Sequence, residues 1–147
     1  MVSLLLVHAA ATLFMLGVIV VMQVVHYPLF ALVGSSSFAL YQRSHMRLVT
    51  IVVVPAMLIE LVTGVLLLWW APPVISGWLT GLGVVLIALI WASTGLVQAR
   101  IHQRLMNAFD AGLHRQLVKT NWMRTLAWAA RSILVLGMLY TVISAGS

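Results

Sequence analysis

The sequence predicts an all-α integral membrane protein, an antiparallel four-helix bundle with both termini outside, on three observations. Four apolar runs of about 20 residues can be drawn, each long enough to cross ~30 Å of hydrocarbon at ~1.5 Å per helical residue. Of the 147 residues, 63% are hydrophobic and only 7% charged, whereas soluble domains carry about 25% charged residues. Apart from Arg131, the basic side chains fall in two loops: Arg43 and Arg47 before the second run, and Arg100, Arg104, Arg115, Lys119 and Arg124 around the link between the third and fourth. The positive-inside rule makes both loops cytoplasmic. Topology and anionic lipid headgroups account for the net charge of +6, so no nucleic-acid partner is expected. The absence of cysteine excludes disulfides, thiolate metal sites and thiol redox chemistry.

The first helix is expected over residues 2–26. Pro28 ends it, because proline has no backbone N–H to donate and disfavours helix in the residue before it. The segment has no basic n-region and reads as a retained helix, not a signal peptide. His8 and His26 lie five turns apart on one face, with Thr12 and Gln23 near the same stripe, so that face should point into the bundle. After Gly34, the run Ser35, Ser36, Ser37 is a helix-start signal, and the second helix is expected over residues 36–70 with a cytoplasmic extension before Leu48. Pro55 is expected to kink it one turn before Glu60. The outer turn combines Pro72 and Pro73 with a belt of Trp69, Trp70 and Trp78. A third helix follows over residues 77–107, carrying Thr94, Gln98 and His102 at steps of four and Gly81, Gly83 and Gly95 for close helix contact. A break near Asp110, a short interfacial helix over residues 113–119 and a fourth helix over residues 121–144, capped at Thr120 or Asn121, complete a single domain.

Two charges lie deep in these apolar runs. Glu60 is one of two acidic residues in the chain, and Arg131 has no charged side chain after it. Counted from the cytoplasmic ends of their helices, they lie at depths of about 18 and 15 Å. An unpaired charge at that depth is costly, so Glu60 and Arg131 are expected to pair. Their pair either fixes helix register or serves a proton path or substrate site, which makes both candidate catalytic residues.

Sorting the remaining polar residues by depth places His26, His45, His102 and His114 near the cytoplasmic side with Gln23, Gln98, Asn107 and Asn121. Three of these imidazoles, His26, His45 and His102, are candidate ligands for a transition metal, though no H-x-x-x-H or E-x-x-H pair is present. The alternative is that interfacial histidines bond headgroups, water or backbone. Haem b is the other cofactor considered, with His8 or His26 as axial ligand and Arg124 or Arg131 for the propionates. Arg124 is expected to snorkel to the interface.

Leu6-Val7-His8, Pro55-Ala56-Met57 and Thr63-Gly64-Val65-Leu66-Leu67 give the first half of the chain a layout that resembles HemJ-type protoporphyrinogen oxidases. Similar layouts occur in the CopD-like and anthrone-oxygenase-like membrane families. The resemblance implies a small haem-binding bundle in a bacterial inner membrane, with His8 at the position of the haem-binding histidine. The residues and the resemblance together lead to a membrane-embedded oxidoreductase or oxygenase-like enzyme acting on a lipophilic small molecule. The alternative is a non-catalytic subunit of a larger membrane complex. Membrane lipids and either a homo-oligomer or such a complex are the expected partners, and a small proton-coupled transporter is a third class.

Overall fold

The computed structural model describes residues 1–146 and is all-α. Four helices are long and apolar enough to cross a membrane: α1 (Val2–Leu32), α2 (Ser35–Trp70), α3 (Gly77–Leu105) and α4 (Ala111–Gly146). Helices α2 and α4 each have 36 residues, about 54 Å at helical rise. That exceeds the ~30 Å hydrocarbon layer, so both extend well beyond it. Large apolar side chains such as Leu6, Val24, Ile51, Leu89 and Ile133 are exposed, as expected of surfaces whose solvent is lipid. Trp69, Trp70 and Trp78, beside the α2–α3 turn, are exposed as well.

The interior alternates apolar and polar layers. Leu5, Ala9, Leu67, Val135 and Met138 form one apolar cluster, Met15, Ile19, Met57, Ile90 and Trp128 a second, and Tyr27, Phe30, Phe38, Ile101, Leu105 and Leu117 a third. The first polar layer, between the first two clusters, holds His8, Thr12, Glu60, Thr63 and Arg131; the second, between the last two, holds Gln23, Gln98, His102, Asn121 and Arg124. Along α1 and α4 these layers follow one another at steps of three and four residues, the spacing that keeps side chains on one helix face.

Three boundaries differ from expectation. Helix α1 does not stop at Pro28 but continues to Leu32, because a π turn at Met22–His26 precedes the proline. There the Tyr27 N–H reaches Met22 O, five residues back, so the bonding pattern has already shifted where Pro28 has no hydrogen to offer. The separate helix at 113–119 does not exist: α4 is continuous from Ala111. Its expected caps are spent elsewhere, the Thr120 hydroxyl on Gln116 O and the Asn121 amide on Gln23. The cap is instead Asp110, whose Oδ1 accepts from the Leu113 N–H at 2.7 Å. Helix α3 ends at Leu105 and carries its own π turn at Thr94–Gln98. Helix α2 stays α-helical through Pro55.

Among the glycines, Gly64 lies at the tightest approach. A Cβ there would lie 2.5 Å from Ile87 Cδ1 and 3.0 Å from His8 Cε1, whereas one at Gly81 or Gly95 would meet nothing within 4 Å. Gly64→Ala is therefore expected to destabilise the protein by about 1–3 kcal/mol, and Gly81→Ala to be neutral or slightly stabilising. Thermal unfolding of the two variants in detergent checks this, and equal midpoints would refute the packing argument.

Candidate functional site

The first polar layer joins all four helices. Arg131 donates through Nε to Glu60 Oε1 at 2.8 Å, through Nη1 to the carbonyl of Gly83, and through Nη2 to Thr12 Oγ1 at 3.5 Å and to His8 Nε2 at 3.1 Å. Glu60 also accepts the Thr12 hydroxyl on Oε1 at 3.0 Å and the Trp128 indole N–H on Oε2 at 3.1 Å. The pairing expected from depth is therefore present. Glu60 and Arg131 are only 1% and 2% exposed, and theirs is the only ion pair among the described residues.

Hydrogen bonding also fixes the tautomer of His8. The Thr63 hydroxyl gives its proton to Ile59 O at 2.6 Å, so at 2.8 Å it can only accept from His8 Nδ1–H. His8 Nε2 then carries the lone pair, which Arg131 occupies. Both ring nitrogens are spent, and the adjoining void is only about 10 Å³. Haem ligation at His8 does not fit this layer. Nor is there room for a substrate against Glu60 and Arg131, whose carboxylate and guanidinium are bonded within the protein. Their arrangement is that of a clasp.

The second polar layer is different in kind. His26, His45 and His102 do come together, with ring centroids 4.7 Å apart for the first two and 5.6 Å for the last two. Their lone pairs do not converge. His26 Nε2 bonds His45 Nδ1 at 3.0 Å, while His102 is held between the Tyr27 hydroxyl at 3.2 Å on Nε2 and the Gln42 amide at 2.8 Å on Nδ1. Among the described residues no group of three or more potential ligands is placed to hold a metal ion, so the expected metal site is not assembled. His26 is no better placed for haem, since its Nε2 also faces the Tyr41 hydroxyl at 3.5 Å. His114 lies apart from the three, bonded to Tyr27 O at 2.8 Å.

Above this layer lies a chamber of about 160 Å³. Its walls are apolar, with Met15, Ile19, Val53 and Met57 among them, and its polar end is made by Tyr27, Gln98, His102 and Arg124. On the rim, Thr50 and Val54 of α2 are exposed on the surface that would face lipid. Residues from both π turns, Met22 in α1 and Thr94 and Gln98 in α3, line it, and π turns in helices are frequent at functional sites. The chamber is smaller than the ~300 Å³ at which pockets for drug-sized ligands begin, so it holds the end of a molecule or a small one and cannot enclose a porphyrin.

Arg124 does not snorkel to the interface. It is 6% exposed, with Nη1 on Asn121 Oδ1 at 3.1 Å and its guanidinium 5.3 Å from the Trp128 ring centroid. Asn121 in turn donates to Gln23 Oε1 at 2.9 Å, and Gln23 donates to Val118 O at 3.2 Å, which turns the guanidinium inward.

Four helices long and apolar enough to cross a membrane, with two buried polar layers between them, point to a helical membrane protein. Comparison of the chain with models of known families, with characterised proteins and with solved structures finds no match, so its function is argued from the two polar layers.

Removing one partner of the clasp leaves a buried charge. Glu60→Gln is expected to cost about 3–5 kcal/mol, and the double variant Glu60→Gln with Arg131→Met to recover part of it. A double-mutant cycle of unfolding in detergent measures this, and additive losses would show that the two groups do not act as a pair. Because His8 is fully bonded, the absorption spectrum of the purified protein should contain no Soret band that depends on it. A stoichiometric band lost in His8→Ala would restore the haem assignment.

Proposed function

We propose that the protein is an oxidoreductase or oxygenase-like membrane enzyme that admits a lipophilic substrate from the bilayer into the chamber between α1, α2 and α3. The observation that carries this reading is the chamber itself: apolar walls, a rim on the lipid side, and an ionisable pair, Tyr27 and His102, at its polar end. The Gln42 amide NH₂ can only donate, so it gives a hydrogen to His102 Nδ1, and His102 Nε2–H in turn donates to the Tyr27 hydroxyl, which leaves the phenol as the group that can hand its own proton to a substrate. In this reading His102 and Tyr27 handle the proton, Arg124 holds the polar part of the substrate, and Glu60 with Arg131 holds the helices in register. The cofactor suggested by the resemblance plays no part in it.

The same proposal takes the bundle to be antiparallel in a bacterial inner membrane, with basic loops in the cytoplasm and both termini outside. The order of contacts supports the antiparallel arrangement, since His8 meets Thr63, Thr12 meets Glu60 and His26 meets His45. The basic residues of the two loops support the orientation.

A second reading, a non-catalytic subunit of a larger membrane complex, is favoured by the completeness of the clasp, which needs no substrate to explain it. Comparative mass spectrometry of lipophilic extracts, from cells lacking the protein and cells complemented with variants, separates the two. Wild type should change the lipophilic pool, and His102→Gln or the chamber-filling Val53→Trp should fail to do so while still accumulating in the membrane. Full complementation by both variants would sink the enzyme reading. An unchanged pool together with co-purification in a stable assembly would favour the subunit.

A further inference from the structure

Arg124 is a buried cation without a carboxylate partner among the described residues. The sequence has two acidic residues. Glu60 is bound to Arg131 and Asp110 caps α4, which leaves none for Arg124. The Asn121 amide oxygen, the Tyr27 hydroxyl and the face of Trp128 are its partners, none of them a carboxylate, and Arg124 Nε is buried with no hydrogen-bond partner. A charge buried in this way calls for a counterion, because desolvation of a guanidinium is offset only by pairing.

The same chamber wall carries two more unpaired polar atoms. The Trp91 indole N–H is buried without an acceptor and can only donate. Gln98 is oriented by its neighbours: its NH₂ donates to Thr120 Oγ1 at 2.9 Å, and that hydroxyl gives its own proton to Gln116 O. Gln98 Oε1 therefore has no partner and faces the need for a donor. A cation and a second donor around a single cavity match an anionic oxygen head group, which accepts from Arg124 and Trp91, while Gln98 Oε1 is an acceptor that such an anion does not satisfy.

The remaining wall fixes the rest of the ligand. Met15, Val18, Ile19, Val53 and Met57 offer no hydrogen bond, and the exposed rim at Thr50 and Val54 belongs to the apolar surface of α2. A water-soluble anion would have to cross that surface; an amphiphile already lies in it. We infer that the chamber binds a single-chain amphiphile with an acidic head, the head paired to Arg124 and the chain running out between α1 and α2 into the bilayer. This deepens the proposed function and rests on its assignment of the chamber as the ligand site.

The test is displacement of the fluorescent fatty acid cis-parinaric acid from the detergent-purified protein, read by energy transfer from tryptophan. Oleate should displace it at least about tenfold more strongly than methyl oleate, the loss expected when a charge-assisted bond is removed. Arg124→Gln should abolish that preference, Arg124→Lys should keep most of it, and Arg115→Gln, an exposed cation on the same helix, should leave it unchanged. Dioleoyl phosphatidylglycerol provides the second arm. Displacement by it equal to that by oleate assigns the bilayer's own anionic lipid as the source of the head group, and displacement by oleate alone assigns a free acid. Equal displacement by oleate and its methyl ester in the wild type overturns the inference while leaving the chamber reading in place. No saturable parinarate binding at all overturns both, and because these two results come from the wild type, neither depends on a variant folding.

Discussion

The buried pair of Glu60 and Arg131 is the constraint to which the rest of the molecule answers. In lipid the cost of stripping water from two charges cannot be avoided once they lie mid-helix; only pairing them offsets it. The chain meets that demand with a group from every helix: His8 and Thr12 from α1, Thr63 from α2, the Gly83 carbonyl from α3 and Trp128 from α4. Rotating any helix by one residue, about 100°, would withdraw its contribution. Register, which lipid-facing apolar surfaces leave undetermined, is thus set by one polar layer. The close approach at Gly64, where His8 and Ile87 crowd the α2 backbone, brings α1 and α3 near enough for that layer to close.

The second layer obeys the opposite rule. In the first, the charged groups and the imidazole have their partners; in the second, Arg124 Nε, Gln98 Oε1, His45 Nε2 and Gln42 Oε1 are buried and unpaired. Native interiors leave few such atoms, and each asks for an explanation. Arg124 Nε and Gln98 Oε1 belong to residues that line the chamber, as does the unpaired Trp91 Nε1, whereas Ser93 Oγ and Ser132 Oγ are unpaired away from it. Local bonding departs from the regular helix at the same level, since a π turn inserts an extra residue and redirects the side chains that follow it. Tyr27 and His102, both beyond such turns, are brought together at 3.2 Å across α1 and α3.

How much of this was legible in the sequence depended on whether a single residue carried the signal. Four spans followed from apolar runs, and the Glu60–Arg131 pair from two charges at matching depth, because burying a charge is costly enough to dictate its partner. Trp128 lies four residues after Arg124 and three before Arg131, on the same helix face, but nothing in the sequence distinguishes an indole that donates to a carboxylate from one that only packs. The metal site failed for a geometric reason: His26, His45 and His102 do share a level, yet sharing a level says nothing of where ring nitrogens point, and these are bonded to one another, to Tyr27 and to Gln42. Pro28 and Thr120 misled because each has a local use in this fold that leaves the helix intact. The chamber was invisible, since a cavity is a property of volumes on four helices and no residue announces it.

The two layers also explain each other energetically. Unsatisfied polar atoms and a gap in the packing of the helices both reduce stability, so a bundle can keep them only if its helices are held by something other than the packing they interrupt. The clasp does this one apolar layer away, with Met15, Ile19, Met57, Ile90 and Trp128 between. Trp128 joins the two: its N–H holds Glu60 while its ring lies 5.3 Å from the Arg124 guanidinium. A single side chain therefore connects the satisfied charge to the unsatisfied one.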